Sequence, residues 1–180
     1  MYYPIYDPAL INSDELKSVF DVYKHLTLDG EKPFPGKMDF LRAIPAKSFP
    51  SFMFFYVDTH TDPPRFLSRV QGEDLKKIQG KDFTGKYLDE CLSSYWYAAI
   101  TESYMQSIHS ALPAYTRFIG SVEGTSRAIF ERLILPIGED TTIDSLGVFV
   151  KTEYFVDEDV NLQQEELGLT WKLRCLLRIR

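Results

Sequence analysis

The chain has 180 residues, 44% of them hydrophobic and 26% charged, a globular composition long enough to bury roughly 70% of its unfolded surface without a disulfide or metal staple. Its 2 cysteines, Cys91 and Cys175, stand in no C-x-x-C motif, which argues against a disulfide framework, a zinc ribbon or a thioredoxin-type site and points to a reducing compartment. The 26 acidic residues outnumber the 20 basic ones, for a net charge of -6, the wrong sign for binding phosphate backbones, so no nucleic acid partner is expected.

Residues 1 to 12 carry Pro4 and Pro8 without periodicity and read as an irregular lead-in, with neither the basic nor the apolar region of a signal peptide. A helix follows, capped by Asn12 with Glu15 reaching back as in a capping box, and closed near Gly30. Leu16, Val19, Phe20, Tyr23 and Leu26 form its apolar stripe. Residues 31 to 50 hold Pro33, Pro35, Gly36, Pro45 and Pro50 and read as a looped connection, with at most a turn of helix around Phe40 to Ala43.

Beyond this joint SFMFFYVD reads as a buried strand, THTDPP as a turn and RFLSRVQG as the second strand of a hairpin. The apolar run from Phe52 to Val57 is too short to span a bilayer, so no membrane span and a cytoplasmic location are expected. Glu73 to Glu90, broken by Gly80 and Gly85, predicts two or three short helices. A long helix from about Ser94 to Leu112 ends at Pro113, with Tyr97, Ile100, Tyr104, Ile108 and Ala111 on its buried face and Glu102, Gln106 and His109 opposite. Three strands close the pattern, at about 114 to 122, 127 to 137 and 142 to 152, with turns at Glu123-Gly124 and Gly138-Glu139-Asp140.

The order two strands, helices, three strands is accompanied by five local strings: DFLRAIPAKSFPSFMFFYVD, RFLSRVQG, GKDFTGKYLDE, ERLILPIGED and IDSLGVFV. In that order they resemble the stand-alone PAS-domain proteins common in alphaproteobacteria, over roughly residues 14 to 152. The resemblance implies an α+β fold with a five-stranded antiparallel sheet in the order 2-1-5-4-3 and helices packed across one face to enclose a pocket. The chain then divides into an N-terminal helix and Pro-rich connection (1–50), a PAS core (51–152) and a C-terminal extension (153–180). Many relatives carry an aromatic residue where this chain has Ser68, so a small hydroxyl there would enlarge the pocket.

Strand alternation and the helical stripe nominate Phe54, Tyr56, Phe66, Ser68, Tyr97, Tyr104 and Phe130 as pocket-facing, and a one-residue error in register would invert every strand choice. Arg132 interrupts the apolar run ERLIL. It reads either as half of a cross-strand pair on the outer face, the commoner arrangement, or as an anion-reading group inside the pocket. His109 points away from the apolar stripe and Cys91 follows LDE, the wrong setting for a flavin-reactive thiol, so no haem, flavin or other cofactor and no metal are expected. No H-E-x-x-H, G-x-S-x-G or Gly-rich phosphate loop occurs, and no catalytic residue is nominated.

The function expected is a non-catalytic, cytoplasmic PAS sensor or adaptor that acts through protein contacts and is gated by a small ligand. The alternative is a small-molecule enzyme of isomerase type on an α+β scaffold. The stripe Leu16, Val19, Phe20 and Tyr23 must be covered by the sheet or by a second subunit, and a homodimer through this helix is expected. In the tail, WKLRCLLRIR alternates as a strand and also scans as a basic amphipathic helix. As a strand its docking face holds Trp171, Leu173 and Leu177; as a helix that face runs through Leu169, Leu173, Leu176 and Leu177.

Overall fold

In the computed structural model, residues 5–6, 8–28, 33–122, 126–155 and 170–177 are described. The chain runs β1 (Ile5–Tyr6), a 3-10 turn at Pro8–Leu10, α1 (Asp14–Leu28), α2 (Lys37–Ala43) and a 3-10 helix at Ala46–Ser51. It continues through β2 (Phe52–Asp58), β3 (Arg65–Gln71), α3 (Glu73–Gln79), α4 (Leu88–Cys91) and α5 (Ser94–Ser110). β4 (Ala114–Val122), β5 (Ser126–Glu139), β6 (Thr142–Phe155) and β7 (Thr170–Leu177) complete it. Among the described residues no helix is long and apolar enough to cross a membrane.

Strands β2 to β6 form an antiparallel sheet ordered β3-β2-β6-β5-β4, the 2-1-5-4-3 order expected from the sequence. The sheet continues past β4: β7 pairs antiparallel with it and β1 adds parallel to β7, making seven strands. The described part of the tail beyond β6, Thr170–Leu177, is thus a strand, and it covers the hydrogen-bonding edge that β4 would otherwise expose. Side chains of Trp171, Leu173 and Leu177 lie outside the described residues, as do Gly30 and the Glu123-Gly124 turn.

Helices cover both faces. Against one lie α1 and α2, where Leu16, Val19, Phe20 and Tyr23 are all at most 2% exposed and pack with Phe40, Phe52, Phe54, Leu133 and Phe149. That corrects the expected dimer surface: the stripe of α1 is spent on the chain's own sheet. Polar ties fix the start of this helix. The Ser13 amide donates to Glu131 Oε2 at 3.1 Å, and Lys151 Nζ and Ser51 Oγ donate to the two oxygens of Glu15 at 2.8 and 2.9 Å. Ser13, rather than Asn12, caps the helix, accepting from the Leu16 amide at 3.3 Å, and Glu15 is thereby used on the sheet instead of in a capping box. The connection holds more helix than its prolines suggest. The two turns of α2 bring Phe40 down onto Gly147, where a β-carbon would stand 2.8 Å from the ring.

The opposite face is covered by α3, α4 and α5, over Met53, Phe55, Val57, Phe66, Ile134, Leu146 and Val148. Gly80 closes α3 in a left-handed conformation at φ 66°, the conformation glycine adopts without steric cost. Ser93 caps α5, and Ala111 ends it two residues before Pro113.

Candidate functional site

Between α3–α5 and the sheet lies a cavity of about 300 Å³, spanning the sheet from β2 to β4. Met53 and Phe55 of β2, Phe118 of β4, Phe130 and Arg132 of β5, and Val150 of β6 form its floor, and Trp96, Ile100 and Tyr104 of α5 its roof. Leu75, Ile78, Gln79, Lys81 and Phe83 close the end beside α3. The volume is at the lower end of the range for small-molecule pockets, about 300–1,000 Å³.

Its walls are built by identifiable contacts. Gln71, buried at the end of β3, donates from Nε2 to Gln79 Oε1 at 2.5 Å and to the Lys81 carbonyl at 3.2 Å, and accepts from the Phe83 amide at 2.5 Å. One side chain thereby ties the end of α3 and the loop after it to the sheet. Lys81 Nζ donates to the Cys91 carbonyl at 2.5 Å and joins that loop to α4. Arg65 grips Asp89 through two hydrogen bonds of 2.9 Å and lies over the Tyr87 ring at 3.8 Å, while the Tyr87 hydroxyl donates to Asp58 at 2.7 Å. That bond holds the Asp58 carboxyl below its ordinary range.

The polar feature of the interior is Arg132, only 4% exposed. Its Nε donates to Thr116 Oγ1 at 3.1 Å and its Nη2 to Ser103 Oγ at 3.4 Å. Its guanidinium lies over the rings of Phe118 and Tyr104, 5.2 and 5.9 Å from their centroids. Phe118 and Phe130 are stacked beside it, 5.1 Å apart at 12°. Burial pushes the Tyr104 phenol up to about 12, against the opposing pull of the Arg132 charge, so at neutral pH Tyr104 keeps its proton. Of the described residues lining the cavity, the two that are charged, Lys81 and Arg132, are both cationic.

Of the eight residues nominated from sequence, Tyr104, Phe130 and Arg132 line the cavity. Arg132 belongs to the inner face, which decides between the two placements that its position in ERLIL left open. Phe54 lies on the α1 side of the sheet and Tyr56, next but one along the strand, is 39% exposed. The pocket side of β2 is Met53, Phe55 and Val57, one residue out of register with the expectation. Phe66 and Ser68 do face α5, and Phe66 meets Tyr104 edge-on at 5.3 Å. Neither lines the cavity, and Val70 does not share their face, because a bulge pairs Phe55 with Ser68 but Phe54 with Val70. Tyr97 packs at the margin of the same core. His109 is exposed, as the helical wheel places it.

Trp96, Ser103 and Thr116 were missed. Trp96 stands in an i, i+4, i+8 row with Ile100 and Tyr104, a spacing that could have found it. Ser103 and Thr116 gave no signal, since a small hydroxyl in a helix or strand becomes informative only once a guanidinium is seen to reach it. Among the described residues no group of three or more His, Cys, Asp or Glu side chains could hold a metal ion.

The fold and this cavity define an α+β sheet domain with helices on both faces and a cavity beneath α3–α5. Compared with protein-family models, with curated proteins and with solved structures, the chain shows no match.

Proposed function

We propose that the chain is a PAS-type sensor module that binds a small molecule beneath α5 and passes its occupancy to a protein partner, without chemical conversion of the ligand. The observation that carries this reading is the cavity of about 300 Å³ between the helices and the 2-1-5-4-3 sheet. A core filled for stability alone closes such space, because each unfilled volume forfeits packing energy. The five sequence strings that resemble the PAS family support the same reading.

Signal output has a route at the start of α5. Trp96 lines the cavity and meets the ring of Tyr95 edge-on at 6.0 Å, while Tyr95 is 58% exposed. A ligand that moves Trp96 therefore reshapes an aromatic surface available to a partner. The lack of any paired-cysteine motif suits a cytoplasmic setting.

Native mass spectrometry of the full chain, mixed with a panel of small aromatic and aliphatic acids, amides and amines, tests the proposal. Wild type is expected to form 1:1 adducts that Ile100→Trp, which fills the cavity, loses. Failure of every panel member to bind wild type, or binding that Ile100→Trp leaves intact, would overturn it.

A further inference from the structure

The charges around the cavity restrict the class of molecule it takes. Among the described residues no carboxylate lines it, and its two charged members, Lys81 and Arg132, are cations. A cationic guest would meet two like charges and no counter-charge, and burying a charge without a partner is costly.

An anionic guest fares no better, because neither cation is idle. Arg132 donates from Nε to Thr116 and from Nη2 to Ser103, and its guanidinium lies over the rings of Phe118 and Tyr104. It is a structural tie between β4, β5 and α5, engaged on several sides. To receive a carboxylate it would have to leave these partners, so that each bond gained replaces a bond lost. Lys81 is exposed, donates to the Cys91 carbonyl and stands 5.4 Å from the centroid of the Phe83 ring, so its charge is spent at the solvent side of the wall. Gln79, an uncharged member of the lining, accepts from Gln71 Nε2.

What remains for a guest is apolar surface. Phe55, Phe83, Trp96, Tyr104, Phe118 and Phe130 present rings to the cavity, and Met, Leu, Ile and Val side chains supply the rest. Rings prefer other rings in offset or edge-on contact.

We infer that the cavity binds an uncharged aromatic molecule, held by ring contacts and the exclusion of water and not by ion pairing. The inference rests on the ligand-binding reading given above.

Isothermal titration calorimetry of the full chain near pH 7 with two matched pairs of probes tests it. Indole-3-acetamide is the neutral counterpart of anionic indole-3-acetate, and 3-propylindole that of cationic tryptamine. Wild type is expected to bind the neutral member of each pair more tightly by roughly tenfold or more, the scale of burying a charge with no free partner. Ile78→Glu places a carboxylate on the half-buried α3 wall of the cavity and should move the second ratio several-fold toward tryptamine. An unchanged ratio in folded Ile78→Glu would put the probes outside the cavity and overturn the inference. Should that variant not fold, the two wild-type ratios decide. Charged probes that bind as well as their neutral partners would overturn the inference and leave the ligand-binding reading in place. If wild type binds none of the four but takes another small molecule, only this inference falls; if it takes none at all, both fall.

Discussion

The two faces of the sheet are covered by helices in different ways. On the α1 side Phe52 and Phe149 stack at 4.7 Å, and Phe40 meets Tyr23, Phe52 and Phe149 at 6.3 to 6.4 Å. Gly147 gives up its side chain so that Phe40 can come closer still. On the α5 side comparable aromatic material surrounds a space of about 300 Å³ and a buried guanidinium. Both faces exclude water from most of their apolar surface, and the described cavity lies under α5.

The sharpest way to break this contrast is to excavate the face under α1 and α2. Phe40→Ala removes the ring at its centre and is expected to cost about 3–5 kcal/mol, the range for deleting a buried aromatic side chain; denaturant unfolding measures it, and a loss below about 1 kcal/mol would mean that α2 is not packed as described. The next effect is alkaline. Tyr104 is raised to about 12 from the ordinary phenol value of 10.0, and Tyr23 and Tyr115 are raised in the same direction, each first by burial.

A raised phenol favours the folded state fully below pH 10 and loses that contribution as pH climbs through the folded value, so melting temperature should fall above pH 10. The part due to Tyr104 is about 2–3 kcal/mol by pH 12, and Tyr104→Phe should make the fall shallower. Gly147→Ala thrusts a methyl against the Phe40 ring and is expected to cost about 1–3 kcal/mol. Smallest is Ile100→Phe, which adds volume on the cavity side and should change stability by less than about 1 kcal/mol, because the space is already there. If the two additions cost the same, the faces are packed alike.

Much of this was legible in the sequence. Helix α1, the β2–β3 hairpin, the helix ending before Pro113 and the three-strand meander all follow from spacing and breakers, and the sheet order follows from the resemblance. What was not legible has a common cause. A strand buried on both faces, such as FMFFYV, carries no alternation, so nothing in it distinguishes Phe54 from Phe55. A bulge that sends Ser68 and Val70 to opposite faces is invisible in RFLSRVQG. Arg132 was visible as an anomaly, but its side was not, because the hydroxyls of Ser103 and Thr116 that receive it are far away in the chain. Which helix face meets which sheet face is decided by packing, and the apolar stripe of α1 fits a subunit interface as well as a sheet until both are placed.

Isoleucine-methyl NMR of the full chain titrated with neutral indole tests the central claim most directly, because isoleucines report from both sides. Ile78 and Ile100 line the cavity, whereas Ile11, Ile44 and Ile137 belong to the packed core under α1 and α2. The account predicts saturable shifts at the methyls of Ile78 and Ile100, with those of Ile11, Ile44 and Ile137 unmoved. Shifts confined to the α1 side, or none at Ile78 and Ile100 up to the solubility limit of indole, would contradict it.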